Sequence, residues 1–282
     1  MARNKHSRSG GSFAKRSLGQ NFLVDKNVVR KIVAALGPVG DDLVIEIGPG
    51  RGALTQELAR EAKYFIAIEL DRVFSAALKK QYDDDPSVRI VEADVLTVDF
   101  KKIVSGFTNV RNIKIVANLP YNISTAILER LSESTIEFSQ AILMFQKEVV
   151  SRITAKPGDR ARGYLSVITE VSFDTTFLFD VSPKSFKPAP RVRSAVVRIE
   201  PRKTVGISDA EHFRSVVSAG FRQKRKTIAN NVKLIQRVTD AKALLSDVGV
   251  DPRLRPEAIT LEDWISISEL IGPEAFERPG KQ

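Results

Sequence analysis

Leu43-Val44-Ile45-Glu46-Ile47 is an apolar run interrupted by one acid, and it ends in Gly48-Pro49-Gly50-Arg51-Gly52. A Gly-x-Gly turn placed there lets backbone N–H groups approach a ligand where any Cβ would collide. Leu54, Leu58 and Ala59 then recur with helical spacing over Gly52 to Glu61, which makes a strand–turn–helix unit. The unit repeats. Tyr64 to Leu70 reads as a strand and Arg72 to Tyr82 as a helix, followed by strands at Val88 to Val91 and Lys114 to Ala117. Ser124 to Leu131 reads as a helix, Ala141 to Phe145 as a strand and Lys147 to Thr154 as a helix. This alternation predicts an α/β fold, with a mostly parallel sheet covered on both faces by right-handed crossovers. Ligands are then expected at the carboxyl ends of the strands.

From Leu165 the texture turns β-branched and aromatic, through Val167, Ile168, Val171, Phe173, Phe177 and Phe179, then Ala195 to Ile199. These segments predict later strands, including an antiparallel pair. Strand signals stop after Pro201, and Asp209 to Phe221, Lys224 to Ile235, Asp240 to Val248 and Leu261 to Ile271 read as helices. The expected division is a basic, flexible extension over 1–16, a catalytic α/β domain over 17–204 and a small all-α domain over 205–282.

The chain carries 44 Lys and Arg against 34 Asp and Glu, a formal +10, which favours a polyanionic partner. The charge is clustered in acid-free stretches. One holds Arg3, Lys5, Arg8, Lys15 and Arg16; a second holds Arg222, Lys224, Arg225, Lys226, Lys233 and Arg237; a third holds Lys184, Lys187, Arg191, Arg193 and Arg198. Separated patches of this kind can follow a phosphate backbone, with Arg222, Lys224, Arg225, Lys226, Lys187 and Arg191 as the expected RNA contacts. The absence of cysteine excludes disulfides, thiolate zinc sites and cysteine nucleophiles, and two histidines are too few for a histidine-rich metal centre. No metal is expected. No apolar run approaches the roughly 18 residues needed to cross a bilayer, so the expected location is the cytoplasm, without a membrane partner.

Three acids fall at successive strand ends. Glu46 precedes the glycine turn, where it would oppose a pyrophosphate but can support the ammonium end of an amino-acid-bearing cofactor. Glu69 follows Gly50 by 19 residues, the place from which a carboxylate accepts both ribose hydroxyls of a nucleoside. Asp94 is placed to accept from an adenine amino group. A dinucleotide fold would carry its third glycine at position 53, where this chain has Ala53.

Asn118-Leu119-Pro120-Tyr121 offers an amide, constrained carbonyls and an aromatic face, which suit a flat base bearing an exocyclic amine. The N6 nitrogen of adenine is a poor nucleophile because its lone pair is delocalised into the ring. Hydrogen bonds from its protons to the Asn118 side-chain oxygen and a Leu119 carbonyl would favour a pyramidal nitrogen aimed at a methyl donor. Pro120 fixes its own φ and extends Leu119, while Tyr121 can stack on a base that has left its helix. Phe186, in the stiff Phe186-Lys187-Pro188-Ala189-Pro190 loop, is expected either to form a second wall of the base pocket or to pin the loop to the core. The implied cofactor is S-adenosylmethionine.

Leu18-Gly19-Gln20-Asn21-Phe22-Leu23, the glycine turn, Glu69-Leu70-Asp71, Asn118 to Asn122, Gln146-Lys147-Glu148-Val149, the Phe-x-Pro-x-Pro loop and Phe221 to Asn231 together resemble the rRNA adenine N6,N6-dimethyltransferases. Arg225-Lys226-Thr227-Ile228 and Arg255-Pro256-Glu257 look like the bacterial small-subunit branch more than the erythromycin-resistance branch, which modifies 23S rRNA. The resemblance implies a class I Rossmann-like methyltransferase sheet, with cofactor contacts at Asn21, Leu23, Gly48, Glu69, Asp94 and Asn118. The full expected cofactor set adds Gln20, Glu46, Gly50, Leu70 and Val95. It further implies dimethylation of two adjacent adenines near the 3′ end of 16S rRNA, by a monomer acting on the maturing 30S subunit. Methylation of 23S rRNA and a non-catalytic role in ribosome assembly are the alternatives.

Overall fold

The structure, a computed structural model of the chain, describes residues 21–119, 123–134, 136–203, 205–235 and 238–273. The extension over 1–16 lies outside them. Elements follow in the order β1 (Phe22–Leu23), α1 (Lys26–Leu36), β2 (Leu43–Ile47), α2 (Thr55–Glu61), β3 (Tyr64–Glu69), α3 (Arg72–Gln81), β4 (Val88–Glu92), α4 (Phe100–Val104), β5 (Ile113–Asn118) and α5 (Ser124–Ser132). They continue with β6 (Gln140–Gln146), α6 (Lys147–Ile153), α7 (Tyr164–Ser172), β7 (Phe173–Val181), β8 (Phe186–Lys187), β9 (Ser194–Pro201), α8 (Ala210–Gly220), α9 (Ile228–Val232), α10 (Ala241–Asp247) and α11 (Leu261–Ile271).

The large sheet has the order β4-β3-β2-β5-β6-β9-β7. Its first five strands are mutually parallel, and β9 runs antiparallel to both β6 and β7. Because side chains alternate along a strand, each central strand feeds two apolar layers. Ile45, Ile66, Ile115 and Leu143 enter one layer, and Val44, Phe65, Val116 and Ile142 the other. The same alternation puts Glu46, Glu69 and Asn118 on the second face, the side covered by α1 and α2. Asp25 starts α1 by accepting from the amides of Asn27 and Val28. No helix among the described residues is long and apolar enough to cross a membrane.

Two expectations are corrected. Val167, Ile168 and Val171 belong to helix α7, and the strand begins only at Phe173. Tyr164, Val167, Ile168 and Val171 form a stripe at helical spacing that packs into the apolar cluster of α8 to α11, and this tertiary burial overrides β propensity. The segment from Lys224 to Ile235 is helical only over Ile228–Val232. Thr227 caps that short helix, and Asn231 bonds to the amide and carbonyl of Gln223, so the preceding cations sit on a turn. The helix α1, the short α4 and the β1–β8 ribbon were not legible as elements.

Residues from α8 onward bury Phe213, Val216, Ile228, Val232, Leu245, Trp264 and Ile267 around one another. This is a small all-α assembly beside the sheet.

Candidate functional site

Ile47 is the last β2 residue, and the chain reverses through three glycines that all adopt left-handed φ: 67° at Gly48, 55° at Gly50 and 76° at Gly52. L side chains rarely take that conformation, so the turn belongs to glycine. Crowding adds to this, because a Cβ on Gly50 would lie 3.2 Å from the Phe22 ring. Left-handed Gly52 also explains why α2 starts at Thr55 rather than at the turn itself.

Glu69 ends β3 and locks this turn. Its Oε2 accepts from the Gly50 amide at 2.8 Å and its Oε1 from the Asp71 amide at 2.7 Å. Burial pushes the Glu69 carboxyl above the usual carboxylate range, against the lowering effect of those amides. Glu46 is more deeply placed, at 2% exposure, and its Oε2 accepts a 2.6 Å hydrogen bond from Thr55 Oγ1. Its carboxyl is raised to about 8, chiefly by burial and further by nearby Glu69, against the lowering effect of the Thr55 bond. Sequence reasoning missed Thr55; the signal was a hydroxyl at the start of the helix that follows the acid.

Asn118 closes β5, and its Nδ2 donates to the Asn21 carbonyl at 3.4 Å. That bond leaves Oδ1 as the acceptor. Leu119 buries its side chain in the core, so only its main chain can face a substrate. Gln20, Pro120 and Tyr121 lie outside the described residues. Asn21 is held in place by β1, which pairs antiparallel with β8, Leu23 opposite Phe186. Phe22 packs edge-on against Phe74 with 5.2 Å between centroids, and the Arg51 guanidinium lies 4.4 Å from its ring centre. Phe22 and Arg51, also missed from sequence, clamp the strap over the turn.

The remaining expected residues divide by exposure. Leu70 is 55% exposed just past Glu69, an apolar surface fit for a nucleoside face, while Leu23 and Val95 bury their side chains and can offer only main chain. Asp94 accepts from the Leu96 amide through Oδ1, which fixes the turn after β4 and leaves Oδ2. Phe186 belongs to the core layer beneath β1, so its ring pins the loop and offers no free face as a second wall. Arg222, Lys224, Arg225 and Lys226 are exposed together on the turn between α8 and α9; Lys187 is exposed at the end of β8 and Arg191 on the loop after it. Arg198, counted among the cations of the third patch, turns inward and donates to the Ala35 carbonyl.

Strand-end carboxylates, a glycine turn without Cβ atoms and an exposed Leu70 form a cradle that fits a nucleoside carrying a cationic amino-acid tail. The chain's relatives carry matching names. A family model described as "Ribosomal RNA adenine dimethylase" matches residues 11–272. "Ribosomal RNA small subunit methyltransferase A" of Lactobacillus delbrueckii subsp. bulgaricus is 40% identical over 268 residues, covering 92% of this chain and 90% of the relative. Among solved structures, a dimethyladenosine transferase from Plasmodium falciparum is 25% identical with a TM-score of 0.71, over 87% of this chain and 95% of that one. The 23S rRNA methyltransferase ErmE is 27% identical with a TM-score of 0.66, over 89% and 99%.

Proposed function

Since the chain belongs to the ribosomal RNA adenine dimethylase family, we propose that it transfers methyl groups from S-adenosylmethionine to N6 of adenine in small-subunit rRNA. The target is two adjacent adenines near the 3′ end of 16S rRNA, each receiving two methyls, and the chain acts as a cytoplasmic monomer on the maturing 30S subunit. The observation that carries this reading is Asn118, which stands at the end of β5 on the same sheet face as Glu46 and Glu69.

S-adenosylmethionine, when bound, supplies a methyl on an electrophilic sulfonium. Gly48, Gly50, Glu69, Leu70 and Asp94 would hold its nucleoside, with Asn21, Leu23 and Val95 supporting the cradle and Glu46 set toward its ammonium. Asn118 Oδ1 and the Leu119 carbonyl accept the two N6 protons of a flipped adenine, so the nitrogen lone pair is turned out of the ring. The acceptors stabilise the positive charge that grows on nitrogen as the new bond forms. No strong general base is needed, because the methylated nitrogen is acidic. The helical residues after 205 bind the RNA backbone through the turn holding Arg222 to Lys226, assisted by Lys187 and Arg191.

Incubating the protein with labelled cofactor and either unmethylated 30S particles or naked 23S rRNA, then mapping the modified base, tests the reading. Label on the 3′-terminal adenines of 16S rRNA is expected; label confined to 23S rRNA would transfer the chain to the macrolide-resistance activity. Asn118→Ala is expected to lose methyl transfer by at least about 100-fold, the scale of a removed transition-state hydrogen bond, with cofactor affinity by calorimetry within a few-fold of wild type. Undiminished turnover in that variant would remove Asn118 from the mechanism.

A further inference from the structure

Arg162 is fully buried, at 0% exposure, in the loop of residues 154–163 that joins α6 to α7. Its Nη1 donates to the Ala155 carbonyl at 3.2 Å and its Nη2 to the Ile259 carbonyl at 3.3 Å; Nη1 also lies 2.8 Å from Glu170 Oε2. Ala155 follows α6, which grows directly from β6, and β6 pairs Met144 with Asn118. Ile259 stands just before α11, in the helical assembly. The guanidinium thus ties the chain just past α6 to the segment just before α11, in the helical part.

Two further bonds from the same loop reach the same side. The Gly158 amide donates to the Glu257 carbonyl at 2.8 Å, and Lys224 Nζ, in the cationic turn itself, donates to the Arg160 carbonyl at 2.8 Å. A buried guanidinium is a poor device for stability alone, since an apolar side chain of similar volume commonly does as well. Here Nε is buried without a hydrogen-bond partner among the described residues, a cost that an apolar side chain would avoid. What a rigid fork does supply is direction, because its donors hold carbonyls from two parts of the fold in one fixed relation.

We propose that Arg162 is a positioning residue that sets the spacing between the phosphate-binding turn at 222–226 and Asn118 at the end of β5, and so decides which adenine reaches Asn118. The inference rests on the methyltransferase reading above. The RNA backbone is gripped at one place and the base presented at another, so the strut between them acts as a ruler. Loosening it uncouples grip from presentation.

The test is a double-mutant cycle in the full chain with unmethylated 30S particles as substrate. Replacing Arg225 and Lys226 by Gln is expected to raise KM about tenfold in the wild-type background and less than about twofold when Arg162→Met is also present. Mapped methyl groups should spread to neighbouring adenines in the Arg162→Met enzyme, while cofactor affinity and turnover of a short adenine-containing stem-loop stay near wild type. Arg162→Lys keeps the charge but loses the fork, and should share the defect. Additive KM effects with an unchanged methylation map would overturn the proposal, whatever the loss of melting temperature. Should Arg162→Met fail to melt cooperatively, Glu170→Gln, at the partly exposed end of the pair, carries the same cycle, and additivity there is equally fatal. A wild-type enzyme inactive on every RNA would instead defeat the methyltransferase reading.

Discussion

At the scale of single residues, Glu46 shows how a site stores a charge it does not yet carry. Its position on the α1–α2 face of β2 follows from strand alternation with Val44, and the tight cover there keeps the proton on at neutral pH. Its folded-state carboxyl is raised from 4.5 to about 8. The unfolded chain therefore releases this proton first, and the stability contributed is fully present below about 4.5 and lost as the pH rises through about 8. Glu46→Gln removes that dependence. In thermal melts of the cofactor-free protein between pH 5 and 9, wild type should lose melting temperature more steeply than the variant. Parallel slopes would mean that the carboxyl ionises normally. The sequence marks the acid at position 46 as a candidate cofactor group but not its protonation, because burial depends on the tertiary cover the fold brings over it, Thr55 included.

Among elements, the helical assembly is set by the contact of α8 with α11. Gly220 ends α8 where Trp264 of α11 closes over it, and a Cβ there would lie 2.2 Å from the indole Cη2. That atom is in a fully buried ring and has nowhere to retreat. Gly220→Ala should cost about 1–3 kcal/mol or more, the range for overpacking a close-packed core. Trp264 is the chain's single tryptophan, so urea titration followed by its fluorescence reports unfolding of the helical assembly around this contact, and an unchanged midpoint would disprove the fit. The parallel strands were legible because each is a short apolar run ending at a turn or an acid. Helix α7 was not, since Val167, Ile168 and Val171 match a strand by composition and reveal their helical stripe only with Tyr164, once the α8–α11 cluster is there to bury it. The strap was missed for a similar reason: two-residue strands such as β1 and β8 have no periodicity to read, and Asn21 reaches Asn118 only through their pairing.

For the whole molecule, the count of 44 Lys and Arg overstates the cations free to meet an RNA. Lys114 is spent on buried Asp42 at 2.9 Å, Lys147 pairs with Asp180 at 2.6 Å, and Arg198 is tied to the Ala35 carbonyl. The turn at 222–226 is different, because Lys224 is tied to the Arg160 carbonyl but Arg222, Arg225 and Lys226 are exposed and no acid pairs with them among the described residues. Each phosphate contact contributes about 0.7–0.9 to the slope of log affinity against log salt. Changing Arg222, Arg225 and Lys226 together to Gln should therefore flatten the slope by about two to three and weaken binding at low salt most. Arg198→Gln, which removes the same kind of charge from an inward-facing position, should leave the slope unchanged. RNA-binding titrations between 50 and 200 mM salt separate the two cases, as roughly the span over which counterion release dominates. Equal slopes for the triple variant and wild type would show that the backbone is gripped elsewhere on the surface, and the cationic turn would lose its part in holding the substrate.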